Sequence, residues 1–206
     1  MAGVKARDHD VKRQMILERT AQLFARQGFH GTSTAEISAA CNASKSWIYH
    51  YFDSKEAILY ELLDEFMEMY VGRIEGAVSA ARTPADRLRA YMREALAVLI
   101  AYRINYARLF SDVDALPPKQ QRSIRDRERA ISESLRDILV ELRPELKRHE
   151  TLLMPITLLS MGSLVWSHTW FDPKGPVSLD RLVDLATALL VSGLDGALAV
   201  AEAQNS

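Results

Sequence analysis

Ser44 to Phe52 reads Ser-Lys-Ser-Trp-Ile-Tyr-His-Tyr-Phe, a run of hydroxyl, ammonium and ring donors with apolar residues between them. That chemistry suits recognition rather than reaction. In a short helix, Ile48, Tyr51 and Phe52 fall on an apolar side, leaving small and polar side chains outward. A helix that enters the DNA major groove must meet both demands. Catalytic patterns are missing by contrast. The sequence has no Gly-x-Ser-x-Gly, phosphate-binding loop or His-Glu-x-x-His, and its five histidines are scattered. The expectation is no enzyme, no catalytic residues, no metal and no cofactor.

The chain has 206 residues, 48% hydrophobic and 26% charged, which is too apolar and too balanced for disorder. Its formal net charge of −1 argues against a general nucleic-acid coat. The charge is unevenly divided: residues 1–56 hold 8 Lys/Arg against 6 Asp/Glu, and residues 57–206 hold 18 against 21. A weakly basic head therefore precedes an acidic body. One cysteine, Cys41, excludes a disulfide framework and reads as a small buried residue. The opening residues lack an apolar leader, and the most apolar stretch, 152–166, spans 15 residues and contains Pro155, short of a membrane span. A cytoplasmic protein without membrane contact is expected.

Helical periodicity runs nearly throughout, predicting an all-α fold. Ile16, Thr20, Leu23 and Phe24 line a first helix that Gly28 ends. Thr32, Ser33 and Thr34 offer caps for a short second helix, Asn42 suits a tight turn, and Ser44 caps the third. Asp53 to Glu56 reads as a capping box opening a long fourth helix. Thr83-Pro84 starts a fifth, ending near Arg103, and a shorter sixth follows around Tyr106 to Val113. A seventh lies between Pro118 and Pro144, an eighth over residues 152–171, and a ninth over residues 179–201 after the loop at 172–176. The division is a three-helix helix-turn-helix head at 1–53 and a six-helix body at 54–206. Lys5, Arg7, Lys12 and Arg13 read as a solvated tail, with a minor-groove arm as the alternative.

Residues 16–62 resemble the DNA-binding head of TetR-family transcriptional regulators. The resemblance rests on Ile16-Leu17, Leu23-Phe24, Gly28-Phe29, Thr32, Thr34 and Ile37, then Ser44-Lys45, Ile48-Tyr49-His50-Tyr51-Phe52 and Ser54-Lys55-Glu56. It implies that Ser44, Lys45, Ser46, Trp47 and His50 lie on or near the groove-facing side. Thr34, Tyr49 and Lys55 would contact phosphates. The chain departs from the pattern at Asn42, where glycine is usual, at Ala43 in place of valine, and at Trp47, where a small residue is common.

One head covers one half-site, so a homodimer is expected. Leu158, Leu159 and residues 161–165, with Leu182, Leu185, Leu189, Leu190 and Leu194, give the last two long helices a wide apolar surface. Gly193, Gly196 and Ala197 allow close approach, and in the resembling family these helices form a four-helix bundle across the dimer axis. Phe66, Tyr70, Tyr102, Arg103, Tyr106, Arg108, Phe110, Trp166 and Trp170 are the candidate ligand-binding residues. Core packing explains any one aromatic among them, and the collective cavity rests on the resemblance. Residues 166–173 with Gly175-Pro176 and Ser178-Leu179 further resemble TetR-type regulators of fatty-acid, sterol and aromatic-acid breakdown, many responsive to acyl-CoA thioesters. Arg122, Arg125, Arg129 and Arg136 form a stripe that suits phosphates or a solvated, ion-paired face. The expected function is a repressor of a double-stranded, palindromic DNA operator, released by a small apolar effector with acyl-CoA as a candidate. The alternative is an activator, or a regulator using a protein partner or a non-CoA hydrophobic ligand.

Overall fold

A computed structural model describes the backbone of residues 2–203 and the side chains of 7–102 and 109–203. The described residues form eight α-helices and no strand. They are α1 (Ala2–Gln27), α2 (Thr34–Ala40), α3 (Lys45–Tyr51), α4 (Lys55–Ala80), α5 (Pro84–Ser111), α6 (Pro118–Leu142), α7 (Glu150–Trp170) and α8 (Leu179–Ala203). Short 3-10 turns occupy Val113–Ala115 and Pro144–His149. The all-α class stands, as does a helix-turn-helix head with a helical body. One expected break is absent: α5 runs past Arg103 to Ser111 and takes in most of the separate sixth helix. No proline or glycine falls between those positions, and the next breakers are Pro117 and Pro118.

The helix starts follow side-chain chemistry. Ser33 caps α2: its Oγ accepts from the Glu36 amide at 3.2 Å, while Glu36 accepts from the Ser33 amide at 2.7 Å. Hydrogen bonds from Gln27 and Ser33 hold the Glu36 carboxyl down at about 2. The fourth helix is capped by Ser54, not by the expected Asp53, since Ser54 Oγ accepts from the Ala57 amide at 3.1 Å. Thr83 Oγ1 accepts from the Asp86 amide at 3.1 Å, with Pro84 in the first helical position.

The chain divides into two compact units, Met1–Met67 with Ile104–Arg125 and Glu68–Arg103 with Asp126–Ser206. In the first, Ile16, Leu17, Phe24, Ile37, Ile48, Phe52, Leu59 and Leu63 are buried. Gly28, at φ 79°, ends α1 in the left-handed region, and its amide returns to the Phe24 carbonyl at 2.8 Å. Gly31 answers a different need, because a Cβ there would stand 2.4 Å from the Gln27 carbonyl oxygen. Gly31→Ala is therefore expected to cost about 1–3 kcal/mol of head stability, read as a lower thermal midpoint. In the second unit, Leu88, Tyr91, Met92, Leu135, Leu139, Val183 and Leu194 are buried, and the Tyr91 hydroxyl donates to the Ile131 carbonyl at 3.2 Å.

Candidate nucleic-acid interface and effector residues

The turn between α2 and α3 is built by backbone bonds that need no large side chain. Cys41 N donates to Ile37 O at 3.0 Å and Ala43 N to Ser38 O at 3.0 Å. Asn42 takes φ 51°, the left-handed conformation that glycine usually supplies and asparagine tolerates. Ser44 then caps α3, its Oγ accepting from the Trp47 amide at 3.2 Å. Ile48 (2% exposed) and Phe52 (3%) hold α3 inward.

That anchoring decides what faces out. Ser44, Lys45, Ser46, Tyr49 and His50 are exposed together, and the Lys45 ammonium lies 5.8 Å from the Tyr49 ring centre. Thr34 is half-buried at the start of α2. Trp47 is half-buried and turns toward Tyr51, ring centres 4.7 Å apart, so part of its surface is spent inside the protein. Lys55, expected at a phosphate, is half-buried beside the α1–α2 loop. Its Nζ donates at 2.8 Å to both the Phe29 and Thr32 carbonyls and stands 4.1 Å over the Phe29 ring. The α1–α2 loop supplies these acceptors, and they draw the charge inward.

Lys5, Arg7, Lys12 and Arg13, expected in a solvated tail, fall within α1, which begins at Ala2. Arg13 lies 4.7 Å over the Phe52 ring and pairs with Glu61 of α4. Lys12 pairs with Asp8, whose hydrogen bond raises the Lys12 pKa. Arg7 is exposed, and the Lys5 side chain lies outside the described residues. Two further contacts lack a local sequence signal. Asp112 Oδ2 accepts from the Phe29 amide at 3.3 Å, with His30 at 4.0 Å from its other oxygen. His9 of α1 lies beside Tyr51, ring centres 4.8 Å apart.

The candidate effector residues separate into groups. Phe66 and Phe110 meet edge to face at 5.5 Å. Tyr70 is buried, which pushes its hydroxyl pKa up, and Tyr102 is half-buried. The side chains of Arg103, Tyr106 and Arg108 lie outside the described residues. Trp166 and Trp170, at 66% and 57% exposed, stand on the outer face of α7. The inward line of that helix is Leu153, Thr157, Leu164 and Ser167. An open cleft of about 370 Å³, lined by Glu75, Val78, Ser79, Arg87, Ser134, Asp137, Ile138 and Glu141, contains none of the candidates. In the arginine stripe, Arg125 pairs with Asp114 at 2.8 Å and Arg136 with Asp137 at 2.9 Å, while Arg122 and Arg129 are exposed.

The last two helices are long and strongly apolar. Residues 144–170 and α8 could cross a bilayer by length and composition alone, against the expectation that no stretch reaches that length. The apolarity of α8 is one-sided, whereas α7 is apolar on most sides. On α8, Asp180, Asp184 and Asp195 pair with Arg93, Arg89 and Arg143, respectively. The opposite flank carries Leu185, Leu189 and Val200, all exposed, with Gly193 and Gly196 open around any added Cβ. Leu158, Leu159 and Val165 are exposed on α7, whereas Leu164, Leu182 and Leu194 turn inward.

A capped recognition-type helix in a helix-turn-helix head, joined to a helical body, defines a DNA-binding regulator. Residues 16–62 match the family described as bacterial regulatory proteins of the tetR family, and residues 81–194 match the tetracyclin repressor-like C-terminal domain. The chain belongs to the TetR family of transcriptional regulators, and is not an enzyme. It is similar to a TetR-family transcriptional regulator from Bordetella parapertussis 12822, with 34% identity and a TM-score of 0.79 over 86% of this chain and 93% of that one. It is 24% identical to the HTH-type transcriptional repressor KstR2 of Mycolicibacterium smegmatis, covering 89% of this chain and 90% of the relative. The fold also matches that of AibR, solved in complex with isovaleryl coenzyme A and operator DNA, at 22% identity and TM-score 0.71, covering 87% and 98% of the two chains.

Proposed function

We propose that this regulator is a cytoplasmic homodimeric repressor that holds a palindromic operator and releases it on binding a small apolar effector, with an acyl-CoA thioester as the first candidate. The head is residues 1–53, and residues 54–206 form the dimerisation and effector-binding part. The observation that carries DNA reading is α3, with Ile48 and Phe52 buried beneath an exposed row of Lys45, Ser46, Tyr49 and His50. The exposed apolar flanks of α7 and α8 support dimerisation through those helices. KstR2 is named as a repressor, and AibR was crystallised with an acyl-CoA and operator DNA. These two relatives support repression and the effector class.

Effector release requires that the bound ligand favour one spacing of the two heads over another. We assign the relay to α4, a single helix from Lys55 to Ala80. Gly72 and Gly76 lie within it, and nothing stands within 4 Å of where a Cβ would be added at either. No packing contact requires glycine there. Gly72→Ala with Gly76→Ala is expected to stabilise the helix by about 1–2 kcal/mol and to blunt effector release. Thermal unfolding and effector titration of the operator complex check both effects. The effector class is tested by challenging the complex with isovaleryl-, long-chain and aryl-CoA thioesters and their free acids. Release by a thioester alone supports the reading, and release by free acids alone overturns the CoA assignment.

A further inference from the structure

Recognition helix α3 is short, and its position is under-determined by the core. Among its seven residues only Ile48 is buried, and Phe52 adds a second anchor one turn on. Two anchors on one line fix how deep the helix sits but leave its roll about that line to the flanks. On one flank Trp47 and Tyr51 lie one turn apart with ring centres at 4.7 Å. This flank is closed from outside the motif by His9, 4.8 Å from Tyr51. The outward His50 ring stands edge-on to Tyr51 at 5.2 Å and is 6.4 Å from His9. Arg13, one turn after His9 on α1, lies over Phe52. The 9/13 face of α1 thus follows the 51/52 end of α3.

We propose that His9 is a positioning residue for operator recognition, completing the cluster of tilted rings Trp47–Tyr51–His9 that sets the roll of α3 and the aim of His50. The proposal rests on α3 being the recognition helix. Hydrogen bonds to base edges tolerate errors of only about half an ångström or 10–20°, so a small roll of α3 weakens base reading while leaving phosphate attraction intact. The His9 imidazole is 47% exposed and its Nδ1 lies 3.7 Å from Asp10. It is therefore removable without opening the core.

The test uses the full chain. Wild type first selects its operator from random duplexes. His9→Ala and His9→Phe are then measured on that operator and on a scrambled duplex at fixed salt, with thermal midpoints alongside. His9→Ala is expected to lose about tenfold in operator affinity, counting both heads of a dimer. It keeps its affinity for the scrambled duplex and its thermal midpoint, and its own selected sites show flattened base preference. His9→Phe, which restores a ring at this position, returns to within about threefold. Unchanged affinity and preference in His9→Ala overturn the proposal. So does an equal loss on both duplexes, which marks a phosphate contact, or a fall in thermal midpoint that tracks the loss of affinity. Failure of His9→Phe to recover also overturns it, because ring packing is then not the cause. If wild type selects no duplex, the recognition-helix reading itself has failed, and the role of His9 with it.

Discussion

A double variant carrying Leu159→Glu and Leu189→Glu is expected to sediment as a monomer and to lose about two orders of magnitude or more in operator affinity. The two leucines are 78% and 74% exposed in the single chain, so the substitutions leave its core in place. In a seam between copies of α7 and α8 each would bury a carboxylate against apolar surface, which costs several kcal/mol without a partner. Separating the heads turns bivalent binding into two weak half-site contacts. Sedimentation velocity and operator titration read the two effects separately. A variant that remains dimeric with wild-type affinity places the interface elsewhere.

Lys55→Met is expected to destabilise the head by about 2–4 kcal/mol, combining two charge-assisted hydrogen bonds with a cation–π contact and discounted for partial exposure. The Phe29 and Thr32 carbonyls lose their donor at 2.8 Å. Methionine keeps the length of the side chain but supplies no N–H. Thermal unfolding without DNA checks this. If Lys55 were instead a phosphate contact, the midpoint would hold while operator affinity and its salt slope fell. An unchanged midpoint therefore contradicts the inward role.

What could be read in the sequence was local. Gly28, Ser33, Asn42, Ser44, Thr83-Pro84, Pro117-Pro118 and the 172–176 loop each act within a few residues, through a cap, a turn or a missing amide, and they outlined the helices closely. The break near Arg103 had no such punctuation behind it, and α5 runs through it. The expectation for Lys55 rests on position alone, because its acceptors lie 26 and 23 residues away. Asp112 and Phe29 are 83 residues apart, and nothing in either neighbourhood announces the contact. Trp166 and Trp170 had a usable signal. They share the outward line of α7 with Leu159 and Gly162, and that register places them with the exposed apolar surface.

Selection from random duplexes by the full chain tests the central claim most directly. The expected result is enrichment of one palindrome with half-sites about one helical turn apart or a multiple of it, bound with an affinity that falls steeply with salt and is lost in a variant combining Ser46→Ala and His50→Ala. No enriched palindrome, or one bound equally well by that variant, would contradict the assignment of α3 as the reader of DNA.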